Sequence, residues 1–389
     1  MTGKKIAILS IYYHNWNFGA LLQSYALNRV LRSMGFEAEH IRFCYAEPAP
    51  EKSPLPKRIR TILTRHRISA HFLERFFCLK EREMKNRRNF YSFHDKEIRG
   101  SLCCCDAVTV SGLNRKYDIF ITGSDQVWNP QFWSDRLLRV FGLTFADRKK
   151  RTISYGASIG SEKAAKGKEE LYRDIMEAID CISVREDSAK DYLQPLTAKK
   201  IQVVLDPTLL LKADQWDDVM VKRQVQGKYI FSYFLEEKYP HTDQVLSFSN
   251  IMNLPMYCVS KIKNLYTRPG LDFQIYDAGP KEFLSYIKNA ECIITNSFHG
   301  MVFSIIFHKN FWVINRYRDH EQDEANHRIT DLLSRLDLTN RLLKDGEVPE
   351  LEKLQENIDF SLVEEKLLGL QKESMEWLRS ALGISPEFG

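Results

Sequence analysis

The sequence predicts an α/β protein made of two doubly wound, Rossmann-type units with parallel sheets, and three observations predict it. Short apolar runs alternate with amphipathic stretches, the pattern of strand–helix–strand crossovers that put helices on both faces of a parallel sheet. That pattern pauses over polar residues 212–228 and restarts at Tyr229. The chain has 389 residues, and at roughly 150 residues per domain such a length calls for at least two.

In the first unit, Lys4–Ile11 reads as a buried strand and Tyr12–Gly19 as a loop rich in aromatic and amide groups. Leu21, Leu22, Tyr25, Ala26, Val30 and Leu31 recur at helical spacing, Gly35 stops the helix, and Glu37–Phe43 reads as a second strand. The loop lies at the carboxyl end of the first strand, where open α/β sheets bind ligands, so Asn17 and Gly19 are candidates to meet an anion or a sugar. A Gly-x-Gly-x-x-Gly dinucleotide fingerprint is absent. A proline-rich break, Pro48–Pro56, precedes a basic, helical stretch from Lys57 to Arg88 in which Glu74, Glu81 and Glu83 are the only acids. Its interleaved apolar residues suit an anionic lipid surface or a diphosphate-bearing substrate; a solvated helical excursion is the plainer alternative. Ile119–Thr122 is a strand, and Ser124, Asp125, Gln126, Trp128 and Asn129 crowd its end. Hydrogen-bonding groups beside an indole suit a sugar, whose hydroxyls and apolar faces need both. Thr152–Ala157 is a strand, Glu162–Ala178 a charged helix, Ile182–Glu186 a short strand carrying Arg185 near its end, and Ile201–Leu205 the last strand of this half, closed by Asp206-Pro-Thr208.

In the second unit, strands are expected at 229–235, 255–260 and 310–315, and helices at 241–251, 279–289 and 329–336. Glu291–His308 is its richest stretch: a buried strand, then small polar residues Thr295, Asn296 and Ser297, then His299-Gly300 opening an apolar helix. The turn places an imidazole beside backbone N–H groups that have no partner inside the helix, a ready anion site; a polar cap on a core helix is the alternative. Arg316, Arg318 and Arg328 follow the next strand. The expected organisation is residues 1–215 as the acceptor-side domain with a basic helical insertion at 57–100, residues 216–350 as the donor-side domain, and residues 351–389 as a helical segment that packs back.

The net charge of +5 is a mild excess that does not argue for nucleic acid. No apolar run is long enough to span a bilayer, and the first residues do not read as a signal peptide, so a cytoplasmic protein is expected. The eight cysteines fit a reducing compartment. Cys103-Cys104-Cys105 reads as a loop or strand edge rather than a metal site, since no Cys-x-x-Cys pair accompanies it.

Three stretches together resemble the polysaccharide pyruvyl transferase family: Asn17–Leu27, Asp118–Asn129 and Asn296–Phe307. Ser183–Glu186 and Asp206–Thr208 also resemble family positions. The resemblance implies a GT-B-like fold, two Rossmann-type domains facing across a cleft, and transfer of a pyruvyl group from phosphoenolpyruvate to a sugar as a cyclic ketal. It implies His299 as acid, base or phosphate holder, with Gly300 and Met301 amides in the clamp. Asp125 would serve the acceptor hydroxyls with Ser124, Gln126, Trp128 and Asn129. Some members carry an arginine where this chain has Ser297, so Arg185, Arg316, Arg318 or Arg328 must supply the charge; Asn296 lies beside it. No metal or other cofactor is expected, because arginines can neutralise the leaving phosphate. The acceptor is expected to be lipid-diphosphate-linked, in capsule or cell-wall assembly at the inner face of the membrane. A glycosyltransferase using a nucleotide sugar is the alternative, since one fold serves both chemistries.

Overall fold

The computed structural model describes residues 3–44, 70–235, 242–260, 273–275, 277–315, 327–344 and 346–384. Seven parallel strands form the first sheet: β1 (Lys5–Leu9), β2 (Glu37–Phe43), β3 (Gly100–Cys105), β4 (Ile119–Asp125), β5 (Arg151–Ala157), β6 (Cys181–Val184) and β7 (Ile201–Val203). They lie in the order β3-β2-β1-β4-β5-β6-β7. Six more form the second: β8 (Ile230–Phe234), β9 (Met256–Ser260), β10 (Phe273–Gln274), β11 (Cys292–Thr295), β12 (Asn310–Ile314) and β13 (Leu342–Leu343). Their order, β10-β9-β8-β11-β12-β13, repeats the first sheet's logic. In each sheet the order of strand addition reverses once, between β1 and β4 and between β8 and β11. Ligands of open α/β sheets bind outside the carboxyl ends at such a switch point.

The helices that build the seam between the lobes are α1 (Phe18–Ser33), α2 (Ala70–Glu97), α3 (Asp187–Leu193), α4 (Pro280–Asn289), α5 (Phe298–Ile306), α6 (His327–Arg335) and α7 (Phe360–Ala381). Asn17 caps α1, its side-chain oxygen accepting from the Gly19 and Ala20 amides at 2.9 and 3.3 Å. Ser297 caps α5 in the same way. The helix expected over 162–178 is two, Glu162–Ala165 and Glu169–Ala178. Gly167 between them has φ +86°, a left-handed conformation that ends a helix.

The apolar face of α1 and the strands under it belong to the same core as β8, α4, α5 and α7. Phe18 stacks on Phe283 (centroids 4.5 Å, 10° between planes) and Trp216 meets Phe303 edge-on at 4.9 Å. The seam is therefore a continuous hydrophobic interior, not a wet hinge. Two helices strap it. Along α2, the Asn86 and Asn89 amides donate to the carbonyls of Ala278 and Asp277 at 2.6 and 2.8 Å, and Lys85 pairs with Asp277. At the other end of the chain, α7 returns to the first lobe. Its Ser374 Oγ accepts from the Leu205 amide at 3.0 Å, and its Ala381 carbonyl accepts from Arg151 Nε at 2.9 Å.

Residues 57–69 of the basic stretch lie outside the described residues, and 70–88 form the first part of α2. Of its charges, Lys85 is engaged with the second lobe and Arg87 lies over the Trp16 ring at 5.6 Å. Among the described residues no helix is long and apolar enough to cross a membrane.

Candidate active site

The two switch points face each other, and their side chains meet in the seam. His299, in the first turn of α5, presents the face of its ring to Gly19 at the start of α1. A Cβ at residue 19 would collide with ring atoms Nδ1, Cγ and Cε1. The imidazole's Nε2 points at Asp206 Oδ2, 3.6 Å away, across the lobe boundary. His299 is 7 % exposed and Asp206 1 %.

Asp206 follows β7 and is gripped from several sides. Oδ1 accepts from the Thr208 amide (3.0 Å) and hydroxyl (2.7 Å), while Oδ2 accepts from Arg185 Nη1 at 2.9 Å and faces Ser124 Oγ at 3.5 Å. Burial alone would raise its pKa, but His299, Arg185 and Thr208 outweigh that and hold the carboxyl well below the usual range. Arg185 is buried too. Besides Asp206 it pairs with Asp125 Oδ1 at 3.3 Å and Glu186 Oε2 at 3.6 Å, and its guanidinium packs on the Phe298 ring at 4.8 Å. Burial opposes its charge, but these three carboxylates restore it.

From the second lobe, α6 brings Arg328 to within 3.9 Å of Asp125. The Gln126 amide, turned with its oxygen toward Arg328, accepts from both terminal nitrogens at 3.0 and 3.2 Å. Further along α6, Arg335 pairs with Asp187 at 2.6 Å, and Asp331 accepts from the Asp187 amide at 3.3 Å. A small cavity opens here, walled by Arg185, Asp206, Phe298, Arg328, Asp331 and Arg335. Two acids in this region have raised pKa values: Glu186 through burial, and Asp331 through burial and then Asp187.

Several expected ligand contacts are instead structural. Trp128 is fully buried and donates its indole N–H to the Phe141 carbonyl at 3.2 Å, so it offers no face to a sugar. Asn129 is buried, its side-chain nitrogen lying against the Gln126 amide and its oxygen accepting from the Gln131 amide. Ser124 donates to the Gly156 carbonyl at 2.8 Å. Asn17 is occupied as a helix cap. Asn296 Oδ1 accepts from the Leu235 amide at 2.9 Å. Ser297 Oγ caps the Gly300 amide at 3.4 Å and the Met301 amide bonds the Ser297 carbonyl at 3.0 Å, so neither amide is open to an anion. The amides of Phe298 and His299, the first two of α5, have no intrahelical partner. Gly300 lacks a side chain because Thr295 fills that space. Arg185 is a hub for carboxylates, not an uncommitted cation. Arg316 and Arg318 lie outside the described residues.

Sequence reasoning brought together His299, Gly19, Asp125, Gln126 and Arg328. It missed Asp206, Glu186, Asp331 and Arg335. For the first two a signal existed, in the family-like stretches Ser183–Glu186 and Asp206–Thr208. For α6 there was none beyond a periodic basic helix. Among the described residues, no cluster of three or more His, Cys, Asp or Glu side chains could hold a metal ion.

Two Rossmann-type lobes with a charged seam between their switch points define a GT-B-like enzyme. UDP-GlcNAc 2-epimerase from Methanocaldococcus jannaschii shares this architecture at TM-score 0.53 and 11% identity, over 98% of this chain and 99% of that one. UDP-GlcNAc 2-epimerase from Neisseria meningitidis, solved bound to UDP-GlcNAc, gives TM-score 0.52 and 10% identity over 98% and 100%. Likeness at such identity speaks for the fold alone. The sequence profile described as polysaccharide pyruvyl transferase matches residues 17–317, and the chain belongs to that family. No curated protein matches it.

Proposed function

We propose that the protein moves the pyruvyl group of phosphoenolpyruvate onto two hydroxyls of one sugar in a lipid-diphosphate-linked polysaccharide precursor, forming a cyclic ketal and releasing phosphate. The observation that carries this reading is the seam itself, where an imidazole from one lobe faces a carboxylate of the other at 3.6 Å and Arg328 lines the same cavity as that carboxylate.

Ketal formation needs a proton on the donor methylene, which leaves an oxocarbenium-like carbon. It needs removal of a proton from the attacking hydroxyl, departure of phosphate, and closure by a second hydroxyl. His299 supplies and recovers the proton. Arg328 offers a guanidinium that matches carboxylate or phosphate in a fork, with Arg316 and Arg318 as further sources of charge. Asp125, 3.9 Å from Arg328, serves as base for the acceptor hydroxyl that closes the ring, with Gln126 binding the sugar. This chemistry calls for no cofactor. A cytoplasmic setting in capsule or cell-wall assembly fits such an acceptor. The basic stretch from 57 to 88 suits contact with an anionic membrane surface, which co-flotation with anionic vesicles, lost on neutralising that stretch, would register.

His299→Ala is the direct test. The variant should fold and lose turnover with phosphoenolpyruvate by at least about a hundredfold, the usual size of a general acid–base contribution. Near-normal turnover would remove His299 from the chemistry.

A further inference from the structure

We infer that Asp206 is the positioning residue of His299: reaching across from the opposite lobe, it fixes the imidazole with Nε2 inward and leaves Nδ1 as the nitrogen that works on the substrate. This rests on the acid–base role proposed for His299. Three observations support it. The first is direction. Nε2 faces Asp206 Oδ2 at 3.6 Å, an ion-pair distance, and has no hydrogen-bond partner among the described residues. Catalytic contacts of this kind are often long before substrate arrives.

The second observation is rigidity. Thr208 holds one oxygen of Asp206 twice, and Arg185 holds the other at 2.9 Å. The strand end bearing Asp206 is itself held, since Ser374 of α7 takes the Leu205 amide and the Tyr155 hydroxyl donates to the Leu205 carbonyl at 3.1 Å. A carboxylate fixed this firmly can orient a ring but is poorly placed to reach a substrate.

The third observation is the opposite wall. Gly19 closes on the face of the ring at Nδ1, Cγ and Cε1, so the imidazole cannot tilt away from Asp206. A histidine nitrogen that keeps its proton on a carboxylate leaves the other nitrogen to exchange protons. Nε2 therefore stays protonated. Nδ1 gives its proton to the donor methylene carbon and regains one from the first attacking hydroxyl, while Asp125 takes the proton of the hydroxyl that closes the ring. Imidazole and carboxylate come from different lobes, so the pair exists only while the seam is closed. The charged groups around it are Asp206, Arg185 behind it, and Asp125, Glu186 and Arg328 beyond Arg185.

Asp206→Asn preserves shape and removes the charge. The expected result is a kcat for phosphoenolpyruvate turnover reduced about ten- to a hundredfold, with the donor KM within about twofold, because the interaction acts in the transition state. The alkaline limb of the kcat/KM–pH profile should move to lower pH. A readout free of activity is the nitrogen NMR spectrum of His299. In the parent protein the neutral ring should be the Nε2–H tautomer, and in Asp206→Asn a mixture. Thr208→Val, which removes one restraint on Asp206 and leaves Arg185 and His299 intact, should shift both readouts the same way by a smaller amount. A folded Asp206→Asn variant with an unchanged tautomer and an unchanged pH profile overturns the assignment. A parent protein that shows the pinned tautomer but no turnover of phosphoenolpyruvate would instead sink the proposed reaction and leave the positioning role standing.

Discussion

At the scale of single residues, Gly19 is the tightest point of the seam. Its missing side chain is what allows the two lobes to close on His299. Gly19→Ala adds one methyl group against a ring backed by a fixed carboxylate, and overpacking of this kind costs about 1–3 kcal/mol. The variant should lose at least tenfold in turnover and melt earlier, while Ala20→Gly beside it should leave turnover intact. His40 carries a separate prediction. It is fully buried, with Nε2 bonded to the Ser24 carbonyl at 2.9 Å, and burial pushes its pKa from 6.5 down to about 3. The native state thus binds fewer protons than the unfolded chain between those values, so stability is full above about 6.5 and falls as pH drops below it. The loss should be about 2 kcal/mol between pH 7 and pH 5, and His40→Gln should flatten that slope in denaturant titrations. Trp128 shows where residue-level reading fails: a sequence marks an indole near a polar cluster but not which way it turns, and here it turns inward.

At the scale of elements, helix periodicity was a dependable guide. Val363, Leu367, Ser374, Leu378 and Ala381 are buried along one stripe of α7, whose C-terminal part docks on the first lobe through Ser374 and Ala381. Ser374 sits in an apolar stripe for a reason the sequence does not reveal, since it satisfies the Leu205 amide next to Asp206. Ser374→Ala should cost about 1 kcal/mol by removing that bond. It should also lower turnover modestly, measured as a kcat change without a change in donor KM. A loss of stability with no loss of turnover would mean that α7 does not steady the Asp206 turn. The basic stretch is the counterexample. Composition identified it as helical and charged, yet the described part of α2 is a strap whose contacts to Asp277 and Ala278 could not be foreseen from charge.

At the scale of the whole molecule, the core cluster shared by both lobes has a thermodynamic consequence. Lobes joined by a large apolar interface unfold together, unlike domains that meet through a small polar one. Calorimetry should therefore show one transition whose calorimetric and van't Hoff enthalpies agree. Two separated transitions would mean that the lobes are independent and that the His299–Asp206 pair opens freely.

The alternation of apolar strands and helices determined the central strands of both sheets but not the short edge strands β10 and β13, and the small polar residues at strand ends marked the candidate site residues, because period and capping are local properties of the chain. His299 and Asp125 were legible for that reason. Asp206, Arg185 and α6 acquire their roles only through docking: a carboxylate at residue 206 and an imidazole at residue 299 become partners when two sheets are pressed switch point to switch point. No local pattern encodes that pairing, since it depends on the packing of α1, α5 and α7 in the shared core.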